Sequence, residues 1–143
     1  MGSPEACAFC EIVAGRAPAH EVLRDDTAVA LLDRRPLFEG HTLLLPVEHH
    51  ETLVDLPPEQ IEPLFARAQA LAGVMEDVLG AAGSFVALNN RISQSVPHLH
   101  VHVVPRTKGD GLRGFFWPRH PYDDDAHQRA VAERIRQALA ASR

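Results

Sequence analysis

The chain has 143 residues, 45% of them hydrophobic and 23% charged, with a formal net charge of −5 at neutral pH. This suits a soluble globular chain of one domain with a buried core. The acidic balance argues against duplex nucleic acid as a partner. No apolar run reaches membrane-span length and no signal peptide opens the chain, so the expected compartment is the cytoplasm.

From the N-terminus, Cys7 and Cys10 are the only cysteines, too few and too close for a secreted disulfide framework. Residues 8–15, AFCEIVAG, predict a short helix stopped by Gly15. Residues 21–25 and 27–33 predict two strands joined through Asp25 and Asp26, and residues 41–47 a third after the turn-prone Gly40. Pro57 and Pro58 mark a helix start. Beyond them Ile61, Leu64, Phe65, Ala68, Leu71, Ala72, Met75 and Leu79 keep a helical period, predicting a long amphipathic helix over 58–80. Two more strands are expected at 84–90 and 98–105. Val131, Ile135, Ala138 and Leu139 suggest a closing helix. Such an order, with few helical crossovers, predicts an α+β fold: a mainly antiparallel five-stranded sheet, one long helix and a C-terminal helix.

The chemistry concentrates in PHLHVHVVPR, residues 97–106, where His98, His100 and His102 alternate with Leu99 and Val101. On a strand the three imidazoles share one face and Leu99, Val101 and Val103 the other. The apolar face can pack on a core. The histidine face has three readings. It could be a solvated face, although exposed strand faces usually carry Thr, Lys or Glu. It could be a metal site, although next-but-one strand neighbours lie about 6.5–7 Å apart and splay their ligands. It could be an anion-handling row in which one ring attacks and its neighbours hold the charged group.

The stretch HLHVHVV resembles the signature of the histidine triad (HIT) family of nucleotide hydrolases and transferases. CAFCEIVAGRAP, DDTAVALLDRRP, GHTLLLPVEHH and NNRISQSVPHLHVHVVPR follow in the order of that family, closest to its Hint-like bacterial branch. The resemblance implies a HIT-like fold over 1–143, with 107–143 as a family-variable extension. It implies His100 as the nucleophile attacking the α-phosphorus of a nucleotide, with a nucleotidyl-histidine intermediate. His102 and His41 match histidines beside the same phosphate. Gln94 and Ser95 match residues near the phosphate and leaving group, and Asn89 a phosphate-side contact. Asp33 matches a ribose-binding carboxylate, and Phe9, Ile12 and Leu31 the apolar wall of a base pocket.

The resemblance also implies a structural zinc held by Cys7, Cys10, His49 and His98, a closed Cys₂His₂ set. His20, His50, His120 and His127 read as surface. Many relatives carry a glycine where this chain has Arg91, in a longer loop than NNRISQSV. Lys108, Arg113 and Arg119 interleave with Phe115, Phe116 and Trp117, read either as a packed loop or as a cover over the site near a dimer partner. A two-fold homodimer with the helix 58–80 in its interface is implied as well. The expected activity is cleavage at the α-phosphate of AMP derivatives, as in a purine nucleoside phosphoramidase. The alternatives are a diadenosine polyphosphate hydrolase, or a nucleotide-binding scaffold with incidental hydrolysis.

Overall fold

The structure is a computed structural model in which residues 7–113 and 118–142 are described. Phe115, Phe116 and Trp117 lie outside the described residues. Two compact units are present, one reaching to Asp110 and one beginning at Gly111.

In the first unit the order is α1 (Ala8–Val13), β1 (Glu21–Arg24), β2 (Ala28–Leu32), β3 (Thr42–Pro46), a 3₁₀ turn (Leu53–Asp55), α2 (Pro58–Asp77), β4 (Gly83–Ala87) and β5 (Val101–Arg106). The strands form one sheet in the order β1-β2-β3-β5-β4, with every neighbouring pair antiparallel. The expected α+β class and five-stranded sheet are what the chain adopts.

Local chemistry sets each element. The Cys7 sulfur caps α1 by accepting from the Cys10 amide at 3.4 Å, and Gly15, at φ +78°, turns the chain out of the helix. The β1–β2 hairpin closes on Asp25, whose Oδ1 accepts from the amides of Thr27 and Ala28, both at 2.9 Å. Gly40, at φ +99°, delivers the chain to His41; a Cβ there would lie 2.4 Å from Leu79 Cδ1. α2 begins at Pro58, where a missing amide costs nothing.

The sheet is covered on both faces, so β2 and β3 read as nearly continuous apolar runs. Ala28, Ala30, Leu44, Leu99, Val101 and Val103 pack with Leu64, Ala68, Leu71 and Met75 of α2. On the opposite face, Val29, Leu31, Leu43 and Leu45 pack with Cys7 and Phe9. The histidine side of the triad segment therefore faces the α1 layer, while its Leu and Val side feeds the α2 core.

Three boundaries differ from the sequence expectation. β5 starts at Val101, not His98: the His98 amide bonds the Val96 carbonyl and the Leu99 amide bonds the His50 carbonyl, so these residues join no ladder. β4 ends at Ala87, because Asn89 and Asn90 turn their side chains to loop bonds. α2 ends at Asp77, ahead of Gly80 at φ +69°, and leaves Ile61 and Leu79 of the periodic stripe exposed.

The second unit contains α3 (Asp125–Ala141), capped by Asp124, whose carboxylate accepts from the His127 amide at 2.8 Å. Its predicted stripe is largely exposed, at 56% for Ile135 and 60% for Leu139.

Candidate active site

A cavity of about 1000 Å³ opens between α1, the end of β2 and the triad segment. Phe9, Ile12 and Leu31 form an apolar wall, Asp33 stands where β2 ends, and Ser95, His100 and His102 line the cavity as well. The sequence separates these residues by up to 93 positions; the sheet brings them together because β2, β3 and β5 are neighbours.

Backbone groups fix the protons on the imidazoles. Nδ1 of His100 lies 2.8 Å from the His98 carbonyl, which can only accept. In the neutral ring Nδ1 therefore carries the hydrogen and Nε2 is bare. On the other side of the sheet register, the Leu37 amide donates to Nδ1 of His41 at 3.0 Å. The His41 proton must then sit on Nε2, which donates to Nδ1 of His102 at 2.9 Å. That leaves the His102 hydrogen on its own Nε2. One backbone amide thus dictates the tautomers of two rings in succession.

Burial holds these rings neutral. It lowers the pKa of His100, with the His98 carbonyl and the charge of Asp33 acting weakly against it. Burial, joined by the neighbouring His100 and His41, pushes His102 down to about 4. His41 is lowered for the same reason, opposed by Asp33, whose Oδ2 lies 3.7 Å from His41 Nε2. The Phe9 ring stands edge-on to His100 with centroids 4.9 Å apart, sealing that imidazole on the α1 side.

Asp33 lines the cavity and accepts at Oδ1 from the Arg35 amide at 2.9 Å, while its Oδ2 is the oxygen near His41. Gln94 and Asn89 sit in the adjoining loop and do not line the cavity. The Gln94 Oε1 accepts from the Arg91 amide at 2.8 Å, and its Nε2 donates to the Glu51 carbonyl at 2.6 Å. Asn89 donates to the Ser93 carbonyl at 3.2 Å. Both side chains brace a loop in which Arg91 and Ser93 adopt left-handed backbone, at φ +69° and +61°. The left-handed angle explains why a glycine suits position 91.

Residues 14–109 match the HIT domain family. The chain is a member of the HIT family. An uncharacterized HIT-like protein of Mycobacterium tuberculosis is 38% identical over 141 residues, covering 95% of this chain and 97% of that one. A crystal structure from Streptococcus mutans superposes with a TM-score of 0.86 at 34% identity, covering 96% of this chain and 88% of the other. A zinc-bound histidine triad family protein from Mycobacterium smegmatis superposes with a TM-score of 0.72 at 36% identity, covering 95% and 99%.

This HIT protein also has a donor set that fits zinc. The sulfurs of Cys7 and Cys10 and one ring nitrogen each of His49 and His98 lie within 4.8 Å of one another. His98 Nδ1 is 3.5 Å from both sulfurs, and His49 Nδ1 is 3.1 Å from Cys10 Sγ. Sulfur and nitrogen ligands of a tetrahedral Zn²⁺ are separated by about 3.5 Å, from the usual bond lengths. His98 Nε2 donates to the Pro46 carbonyl at 3.0 Å, so Nδ1 is bare and aimed at the sulfurs. Burial, with the Cys7 thiol beside it, pushes the Cys10 thiol up to about 11, so metal loading of this pair is coupled to proton release.

The lining of this HIT cavity also includes residues that the sequence did not mark as site residues, among them Glu11, Arg34, Arg35 and His20, the last read as plain surface. The signal for the arginines was their place directly after Asp33. His50, also read as surface, is only 17% exposed, with its Nε2 3.3 Å from the Glu48 carboxylate.

Proposed function

We propose that this protein hydrolyses AMP derivatives at the α-phosphate, in the manner of a purine nucleoside phosphoramidase, through a nucleotidyl intermediate on His100. The observation that carries this reading is the bare Nε2 of His100, held by the His98 carbonyl in a cavity that also contains Asp33.

The purine packs against Phe9, Ile12 and Leu31, and Asp33 accepts from the ribose hydroxyls. Nε2 of His100 attacks the phosphorus, the P–N bond to histidine forms, and the bond to the leaving group breaks. The imidazole becomes cationic at that moment, and the His98 carbonyl, already bonded to its Nδ1–H, stabilises the charge. His102 presents Nε2–H to a phosphate oxygen. The Ser95 hydroxyl hydrogen-bonds the departing group, whose proton comes from solvent or from that hydroxyl. Water then attacks the phosphorus and gives up a proton to solvent, or to Ser95 where that hydroxyl protonated the leaving group; the P–N bond breaks, and AMP leaves with His100 restored as the neutral Nδ1–H ring. Zinc on Cys7, Cys10, His49 and His98, when bound, supplies a cross-link that pins α1 to the segment carrying His98.

Two further relatives support the reaction class. A protein of Arabidopsis thaliana named an adenylylsulfatase is 30% identical over 108 residues. One of Candida albicans named an adenosine 5′-monophosphoramidase is 26% identical over 146 residues. We also infer a homodimer: β4 is an edge strand that carries the exposed Val86, and Val74 on α2 and Val78 just after it are exposed as well.

The decisive experiment compares kcat/KM for adenosine phosphoramidate, adenylyl sulfate and diadenosine polyphosphates. The phosphoramidate is expected to be the best substrate. Preference for the dinucleotides would favour the polyphosphate hydrolase reading, and tight AMP binding with no turnover of any substrate would favour a scaffold.

A further inference from the structure

Arg34 and Arg35 form a cationic rim on the same cavity as Asp33 and His100. Both side chains are exposed, and among the described residues neither guanidinium has an ion-pair or hydrogen-bond partner. That sets them apart from the other arginines of the first unit: Arg16 is engaged with Glu11, Arg24 with Glu21, Arg67 with Asp25, Arg91 with Glu51 and Arg106 with Asp110. Two adjacent arginines at a cavity mouth in a chain of net charge −5 have no folding role that their contacts reveal.

The acidic groups nearby do not neutralise them. Of the two carboxylates lining the cavity, Glu11 is held by Arg16 through both guanidinium branches, at 2.6 and 3.2 Å. Asp33 has Oδ1 occupied by the Arg35 amide. The rim therefore presents two free guanidiniums against one partly engaged carboxylate, at the end of the cavity where Asp33 stands. A planar guanidinium with parallel N–H donors is the side chain best matched to a phosphate monoester.

We propose that Arg34 and Arg35 recognise a second phosphate carried on the ribose, so that the preferred ligand is a 2′- or 3′-phosphorylated derivative of AMP. The inference rests on the reading of Asp33 as the ribose end of the cavity. The α-phosphate sits at His100 and His102, and the arginines follow Asp33 directly in sequence, which puts them beside the sugar. A phosphate on one ribose oxygen leaves the other hydroxyl free to donate to Asp33. The free guanidiniums offset the repulsion between that carboxylate and the added dianion.

The test measures binding of four ligands to the full-length chain by calorimetry at low ionic strength: AMP, ADP, adenosine 2′,5′-bisphosphate and adenosine 3′,5′-bisphosphate. At least one bisphosphate is expected to bind about tenfold more tightly than AMP, a gain that shrinks as salt rises. In the double variant R34Q/R35Q the ratio of the two affinities should fall to within about twofold. Bisphosphates that bind no better than AMP overturn the proposal. So does a gain confined to ADP and lost in the double variant, which would put the arginines on the leaving-group side. Failure of AMP itself to bind would instead overturn the reading of the cavity as a nucleotide site, so the two failures are distinguishable.

Discussion

The carbonyl of His98 lies 2.8 Å from Nδ1 of His100, while the ring of the same His98 lies 3.5 Å from the sulfurs of Cys7 and Cys10. One residue thus joins the candidate zinc donor set by its side chain and the proposed nucleophile by its backbone. Phe9, between the two cysteines in sequence, packs edge-on against both His98 and His100. The cysteine pair is therefore mechanically connected to the reactive ring.

Cys7→Ser tests this connection. It is expected to remove bound zinc and to cost at least about 2 kcal/mol of stability, seen as a fall in Tm of roughly 5–10 °C. kcat should fall with it, because the carbonyl that holds His100 loses its anchor. Metal analysis and thermal unfolding of the purified variant check both parts. Unchanged metal content would remove Cys7 from the ligand set.

His41 has a different connection to the site, through a proton rather than a metal. With the Leu37 amide donating to its Nδ1, it can only donate to His102. His41→Ala frees His102 to adopt the other tautomer and to turn an unprotonated nitrogen toward the phosphate. The expected result is a kcat lower by about 10²-fold with KM nearly unchanged. A rise in KM alone would make His41 a binding residue.

The lowered pKa values make a prediction about pH. His102 titrates at about 4 in the folded chain and near 6.5 when unfolded. Between those values the unfolded chain binds a proton that the folded chain does not, so stability rises with pH across the window and is lost on acidification from about 6.5 toward 4. His41 and His100, lowered in the same direction, and His98, pushed down to about 4 by burial, add to the effect. Tm should therefore decline steadily over that interval. His102→Asn should make the decline shallower without abolishing it; an unchanged slope would mean that His102 takes no part in it.

Arg91 stands in left-handed backbone at φ +69°, which costs a non-glycine residue about 1–2 kcal/mol. Its ion pair with Glu51, at 3.7 Å and with the Arg91 side chain 62% exposed, recovers little of that. Glycine gives back about 0.5–1 kcal/mol through the freedom of the unfolded chain. Arg91→Gly is therefore expected to stabilise the protein by up to about 1 kcal/mol, read as a higher midpoint in denaturant. Destabilisation would show that the Arg91 side chain holds the loop.

Much of this was legible in the residues. The alternation of His98, His100 and His102 with Leu99, Val101 and Val103 announced two faces: the α2 core takes the apolar one, while on the other His100 and His102 line the cavity and His98 meets the cysteine sulfurs. The strand boundary at Val101 was not legible, because the bonds that keep His98 and Leu99 off the ladder come from Val96 and His50. Nor could a sequence reveal that Gln94 spends both ends of its amide on the loop, at Arg91 and Glu51. Hydrophobic period predicted the helix over the end of the chain, but not that Ile135 and Leu139 would remain exposed. The tautomers of His41 and His102 follow from one amide, at Leu37, a contact that no side-chain pattern encodes.

The proposed reaction turns on a bond between Nε2 of His100 and phosphorus. The most direct measurement is mass spectrometry of the protein quenched during turnover of an adenosine phosphoramidate, with His100→Ala run in parallel. An adenylyl mass is expected on the peptide containing His100, with neither adduct nor AMP release in the variant. Turnover by His100→Ala at the wild-type rate, or an adduct on another side chain, would contradict it.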